Sequence, residues 1–345
     1  MSTFIQLHLL TSYPPANLNR DDLGRPKTAR MGGVERLRVS SQSLKRTWRT
    51  SDLFQEALGG NVGTRTKRLG TEVYDELQEA GIKDKDGQTW ARSIADVFGK
   101  LQKTGTEIEQ LAHVGPEERT AVRQLVQTLI TENRGPRDDE LKLLRKNPRA
   151  ADIALFGRML ADDPDYNVEA ACQVAHAITV HPVTVEDDYF TAVDDLNRGD
   201  EDMGAAHIGE TGFAAGLFYS YICINRDLLV DNLSGDTHLA DRAIDALTEV
   251  ATKVSPRGKQ NSFGSRAYAS YVLAEKGAQQ PRSLAVSFLK PVQGKDHASV
   301  AIQAMEHQRK TFENVYGPCA DVHYALDAVN GQGTLDDLRA FLKQH

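Results

Sequence analysis

AGLFYSYICIN, residues 215–225, is the most strand-like run in the chain. Leu217, Tyr219, Tyr221 and Cys223 alternate with Phe218, Ser220, Ile222 and Ile224. A strand with one wet face alternates apolar with polar residues; here both faces are apolar, which places the strand in the middle of a sheet covered on both sides.

Working outward, Thr3 to Leu10 is a second strand, with Ile5, Leu7 and Leu9 toward the core and Phe4, Gln6, His8 and Leu10 on the opposite face. That opposite face could offer an aromatic ring and an imidazole to RNA bases, but burial under another element is the favoured reading. Ser40 and Ser41 are N-cap residues, and no Gly or Pro follows before Gly59, so a helix is expected over about Gln42 to Leu58. Asp236 to Val254 reads as another helix and Ala267 to Leu273 as a strand, with a further strand near residues 179–213. The order β-α-β-β-α-β is that of an α+β, ferredoxin-like fold, a plan common among RNA-binding domains.

Three segments decorate that plan. Thr64 to Arg158 reads as an all-helical insertion broken by glycines, with helical spacing in Val73-Leu77-Ala80, Ile94-Val97-Leu101 and Val122-Leu125-Leu129 and a helix start at Pro116-Glu117-Glu118. A helix through Met159 and an apolar helix from Val168 to Ile178 follow. Thr179 to Phe213 reads as a long projecting β-hairpin. Val300 to Tyr316 and Leu335 to Gln344 are helices, the second opened by Thr334 with Asp337.

Charge is distributed unevenly. The chain carries a net −7, yet residues 17–50 hold nine basic against three acidic residues, a net of +6. On the expected helix, Gln42, Lys45, Arg46 and Arg49 share an arc of about 100° opposite Leu44, Trp48, Phe54 and Leu58. Such a face also serves as plain solvated surface. The Gly-punctuated loop from Arg20 to Arg38 brings more cations to the same place, and this favours a polyanion. The helix start at Ser40 would add open N–H groups. Lys253 to Arg266, with Arg257, Gly258 and Lys259, repeats the composition and is expected at one end of the same sheet. The hairpin, by contrast, holds nine acids against one arginine, a net of −8.

Several function classes drop out. Three cysteines, Cys172, Cys223 and Cys319, lie far apart with no CxxC pair, so free thiols are expected rather than disulfides or a thiolate zinc site. Gly59 to Thr64 lacks the GK[ST] ending of a P-loop. His176, His181 and His207 do not share a helical face, and structural roles are expected of them. No apolar run approaches the ~20 residues that cross a bilayer and no secretory signal is recognised, so a cytoplasmic protein without membrane contact is expected.

The runs FIQLHLLTSYPPANLNRDD, GGVERLRVSSQSLKRTWR, DIALFGRM, AHAITVHPV, YFTAVDDL and AAHIGETGF, in that order, resemble CasC, the backbone subunit of the type I-E CRISPR surveillance complex Cascade. The resemblance is tight to about Asn225 and looser beyond. It implies a palm resembling an RNA-recognition motif over residues 1–58 and 213–345, a helical insertion or fingers over 59–178 and a thumb hairpin over 179–212. It implies no catalysis and no cofactor. Copies would line a guide crRNA head to tail, with a thumb folding over the next copy to displace a base at intervals, and the free bases would pair with target DNA. Other Cascade subunits and a recruited nuclease-helicase would be further partners. Carried onto this chain, the implied wedge is Met159 with Tyr189, Phe190, Thr191 and Val193. The residues themselves, apart from the resemblance, place phosphates on Gln42, Lys45, Arg46 and Arg49 and near the Ser40 helix start, with Arg20, Lys27 and Lys259 adding charge around them.

The charge map gives a separate reason for head-to-tail assembly: a −8 hairpin is repelled by RNA but matched by the +6 region of a neighbouring copy. The competing reading is a metal-dependent RNase, with Asp194, Asp195, Asp200 and Asp202 as oxygen ligands for Mg²⁺ and His207 as acid or base. Their spacing matches no metal motif, and acids are common at hairpin tips.

Overall fold

The structure, a computed structural model, describes residues 2–192 and 207–344. The strands are β1 (Phe4–Ala16), β2 (Thr28–Met31), β3 (Val34–Val39), β4 (Thr64–Thr66), β5 (Ala112–Val114), β6 (Cys172–Val174), β7 (Ala177–Thr179), β8 (Glu186–Ala192), β9 (His207–Asn225), β10 (Ala269–Gly277) and β11 (Val322–Asp327). The helices are α1 (Ser41–Arg49), α2 (Asp52–Leu58), α3 (Leu69–Glu79), α4 (Asp84–Asp96), α5 (Pro116–Glu132), α6 (Ala151–Phe156), α7 (Arg226–Asn232), α8 (Thr237–Lys253), α9 (Gln260–Phe263), α10 (His297–Tyr316) and α11 (Leu335–Lys343).

The main sheet runs β11-β10-β1-β9-β7-β3-β2. Its inner four strands, β10-β1-β9-β7, are antiparallel and have the ferredoxin-like order. β9 is central as its composition requires: Leu7 lies opposite Ile222 and His8 opposite Tyr221 on one side, while β6 and β7 line the other. One face of the sheet packs Ile5, Leu7, Leu9, Phe218 and Ile222 against Leu44, Trp48, Phe54, Ile244 and Leu247 of the helices. The other packs Leu10, Tyr219 and Leu273 against Leu284, Phe288 and Met305. The insertion has its own core, in which Val73, Leu77, Ile94, Val122 and Leu129 meet. Cys172, Cys223 and Cys319 are free and buried.

Five expectations give way. The helix expected through Met159 stops at Phe156, where Gly157 takes a positive φ, and the loop expected from Arg20 to Arg38 carries the paired strands β2 and β3. The helix expected over Gln42 to Leu58 is two helices, because Ser51 ends the first by donating to the Trp48 carbonyl (2.7 Å) and caps the second by accepting from the Phe54 N–H (3.3 Å). A serine can break a helix without Gly or Pro when its hydroxyl serves both ends. The insertion is not all-helical, since β4 and β5 form a two-stranded sheet pairing Arg65 with His113. The apolar helix expected over Val168 to Ile178 is instead β6 and β7. A short Ala/Val-rich run suits either state, and here the open edge of β9 supplies backbone partners, Cys172 opposite Ile224 and Thr179 opposite Phe218.

The hairpin at Thr179 to Phe213 is present in its described part: β8 pairs with β9 from Glu186 opposite Phe213 to Ala192 opposite His207.

Candidate nucleic-acid interface

The second face of the sheet is closed to ligands. His8 is fully buried, with Nδ1 2.9 Å from the Tyr219 hydroxyl and Nε2 3.1 Å from Glu275. Ionised Glu275 can only accept, so Nε2–H donates to it and Nδ1 of the neutral ring accepts from the Tyr219 hydroxyl, whose oxygen in turn accepts from the Leu284 N–H at 3.0 Å. Arg282 completes the set with a second nitrogen 2.9 Å from Glu275. Burial lowers the His8 pKa and keeps the ring neutral. Burial pushes the Glu275 carboxyl up, but hydrogen bonds from His8 and Arg282 outweigh it and hold the pKa at about 2. The His8 ring nitrogens, the Tyr219 hydroxyl and the Glu275 carboxylate all have internal partners, as burial demands, while Arg282 Nε has none. The expectation that this face is covered rather than offered to bases holds for Gln6, His8 and Leu10.

The open polar surface lies along α1. Ser40 accepts from the Ser43 N–H at 3.3 Å, and Asn19 Oδ1 accepts from the Ser40 N–H at 2.9 Å. Ser40 is thereby buried as a cap, with its hydroxyl engaged inside the fold. Leu44, Thr47 and Trp48 anchor the helix, which turns Gln42, Lys45, Arg46 and Arg49 into a cleft of about 760 Å³. Its far wall comes from the insertion and α6: Arg65, Leu111, His113 and Phe156. Lys45 sits over the Phe156 ring, 5.7 Å from its centre. Among the described residues Lys45 and Arg46 make no ion pair.

Arg49 differs from its neighbours. Only 13% of its side chain is exposed, and Nη1 lies 3.6 Å from the carboxylate of Asp152, which is fully buried. Burial lowers the Arg49 pKa, Asp152 opposes this, and Arg65 and Arg46 add like-charge repulsion. Asp152 also accepts from His113 Nε2 at 2.8 Å and from the Gly63 N–H at 2.7 Å.

Arg46 also borders a second cavity of about 850 Å³, shared with Arg20, Asp21, Asp22 and Arg257. Arg257 donates to the Thr50 carbonyl at 3.0 Å. The loop before α9 thus reaches the basic helix, and a Cβ at Gly258 would strike the Leu18 and Asn17 carbonyls, so only glycine permits this approach. Lys259 follows with φ +46° and lines neither cavity. Lys27 lies in a smaller recess with Arg38 and Phe218. Arg36 belongs to the architecture: it is buried and donates to the carbonyls of Met31 (3.3 Å), Thr179 (2.9 Å) and Phe288 (3.0 Å).

Met159 is 83% exposed between two buried neighbours, Arg158 and Leu160. Arg158 is clamped by Glu118 at 2.8 Å and the Leu160 N–H by Asn167 at 2.6 Å, so the methionine is presented from a fixed backbone. On the hairpin, Tyr189 is 65% exposed and Thr191 is exposed on the same side of β8. Phe190 lies across the strand over Gly209, where a Cβ would meet its ring. Val193 and the carboxylates Asp194, Asp195, Asp200 and Asp202 lie outside the described residues. At the hairpin base Arg25 pairs with Asp187 of the same chain at 3.0 Å, so one charge of the basic loop is met internally.

His176 faces Arg38 at 2.9 Å, and His181 Nε2 accepts from the Leu217 N–H at 3.1 Å, which fits the structural roles expected of both. No group of three or more His, Cys, Asp or Glu among the described residues could hold a metal. No helix among them is long and apolar enough to cross a membrane. The sequence reading assigned no site role to Arg65, His113 or Asp152; Asp152 opens the DIALFGRM run, but nothing in that run ties it to α1.

Fold and cleft together define a ferredoxin-like α+β protein with a cationic cleft along α1. The chain belongs to the CT1975-like protein family, whose model matches residues 5–340. Two solved chains share the fold. One, described as a CRISPR RNA-guided surveillance complex, pre-nicking, is 28% identical with a TM-score of 0.83, matching 98% of this chain and 100% of its own. Another, described as a CRISPR RNA-guided surveillance complex, is 25% identical with a TM-score of 0.59, matching 98% of this chain and 99% of its own. No curated protein matches. Family and fold agree with the resemblance to CasC-type backbone subunits carried by the sequence motifs.

Proposed function

We propose that the chain is a non-catalytic, RNA-binding backbone subunit of a CRISPR surveillance complex of the Cascade type. The observation that carries this reading is the cleft along α1, where Lys45 and Arg46 converge with Gln42 without an ion-pair partner among the described residues, beside Arg49 and Arg65. Unpaired cations in a groove attract a polyanion, and contacts to phosphates tolerate any guide sequence. With the sheet face closed by the His8 and Glu275 network, RNA passes over the helix side of the palm rather than stacking on the strands. Palm, insertion and hairpin then act as palm, fingers and thumb. Copies polymerise head to tail on the guide, with Met159 and Tyr189 wedging between bases, and the exposed remainder pairs with target DNA. The acidic hairpin meets the basic region of the next copy in addition to Arg25 of its own chain.

The test is to incubate the purified protein and Mg²⁺ with end-labelled single-stranded RNAs of increasing length. The expected result is intact RNA on a denaturing gel and, by native mass measurement, a copy number that rises stepwise with RNA length. Cleavage at regular intervals, abolished by Asp194→Ala with Asp195→Ala, would establish the RNase reading instead. A single copy at every length would remove the filament.

A further inference from the structure

The cleft contains more than the palm helix. Behind its lining residues Gly63, His113 and Arg49 lies Asp152, a fully buried carboxylate that all three reach: the Gly63 N–H at 2.7 Å, His113 Nε2 at 2.8 Å and Arg49 at 3.6 Å. The His113 side chain is 5% exposed, and its Nδ1 has no hydrogen-bond partner. Arg65 is exposed on β4, directly paired in register with His113 on β5. Arg65 lines the same cleft as Lys45, Arg46 and Arg49, and its charge disfavours that of Arg49. The cleft is lined by three guanidinium groups and an ammonium and by no acid, and only Arg49 among them reaches the buried Asp152, so cationic charge is left in excess.

We propose that Arg65, on the insertion, is a direct phosphodiester ligand in this cleft, and that Asp152 is a positioning residue that holds Arg49 opposite it. One phosphate of a bound single-stranded RNA is then gripped between palm and insertion. This rests on the RNA-binding reading above and extends it from the palm helix to the wall that faces it. A guanidinium fork aimed by a buried carboxylate is pre-organised for a phosphate, so little side-chain freedom is lost on binding. Asp152 does not touch RNA; it acts through Arg49. Exposure of Arg65 without an ion pair among the described residues makes its replacement harmless to the fold.

The experiment is fluorescence anisotropy of a labelled single-stranded RNA against the full chain over a range of salt concentrations, for wild type, Arg65→Gln, Arg49→Gln, Asp152→Asn and the double variant Arg49→Gln with Asp152→Asn. Arg65→Gln is expected to weaken binding about tenfold near physiological salt and to reduce the slope of log affinity against log salt by about 0.7, the share of one single-strand phosphate. Asp152→Asn is expected to weaken binding several-fold in the wild-type background and to add nothing once Arg49 is replaced, whereas a merely structural role would lower affinity in both. If Asp152→Asn does not fold, the Arg65→Gln and Arg49→Gln pair decides, since two ligands of one phosphate lose less together than the product of their separate losses. A wild-type slope in Arg65→Gln overturns the assignment of Arg65, and equal losses from Asp152→Asn in both backgrounds overturn its positioning role. Wild-type protein that binds no RNA at all sinks the RNA-binding reading itself, a result distinct from either.

Discussion

Two regions of this molecule gather polar and charged side chains, the second face of the sheet and the outer side of α1, and they differ in what those charges meet. On the sheet face His8, Glu275, Arg282 and Tyr219 bond to one another in the interior. Along α1, Lys45 and Arg46 reach into a cleft without an ion-pair partner among the described residues. The first arrangement is architecture, because buried charge must be neutralised where it stands. The second is the proposed interface, because open charge there is free to exchange water and counterions for a polyanion.

The contrast can be broken most violently at Glu275. Glu275→Ala leaves Arg282 without its carboxylate in the interior and is expected to cost about 3–5 kcal/mol in urea unfolding, while RNA affinity per folded molecule stays unchanged. A stable variant with weakened RNA binding would merge the two regions and refute the distinction.

Next in size is the exchange on α1. Lys45→Gln with Arg46→Gln is expected to weaken single-stranded RNA binding about a hundredfold near physiological salt, by anisotropy, with stability within about 0.5 kcal/mol of wild type.

The pH dependence sharpens the same comparison. Folding holds His8 below its ordinary 6.5 and Glu275 at about 2, against an ordinary 4.5. Both pKa values are depressed, so the unfolded chain binds these protons first and stability is lost as pH falls. The His8 contribution is present above about 6.5 and fades below it; the Glu275 contribution fades between about 4.5 and 2. Thermal melts of His8→Gln are expected to lack the upper part of that decline.

The smallest expected effect on stability is at Met159. Because the side chain is 83% exposed, Met159→Ala is expected to change stability by less than about 0.5 kcal/mol. Its consequence should appear in chemical probing of bound RNA, as loss of the periodic reactive base.

Much of this was legible in sequence for a physical reason. The central position of residues 215–225, the covered second face of β1 and the cationic arc of α1 are periodic patterns, and period translates into face. The break at Ser51 was not legible, because a hydroxyl can cap a helix or sit within one, and only the packing of Trp48 and Phe54 decides which. The strands β6 and β7 were hidden for a similar reason: their short apolar run takes its state from the edge of β9. In the cleft, Asp152 and His113 come from segments distant from α1 and Arg65 from the separate strand β4, and juxtaposition of that kind leaves no local trace. The net charge of residues 17–50 overstated what is free, since Arg36 is buried on carbonyls and Arg25 pairs with Asp187.

The central claim is that RNA is held by the open cations of α1 and not by the sheet. The most direct measurement is photo-crosslinking of bound single-stranded RNA carrying a reactive nucleotide, with the crosslinked peptides mapped by mass spectrometry. The account predicts crosslinks within residues 42–49 and 63–65 and at Met159, and none at His8, Tyr219 or Tyr221. Crosslinks concentrated on β1 and β9 at those sheet residues would contradict it.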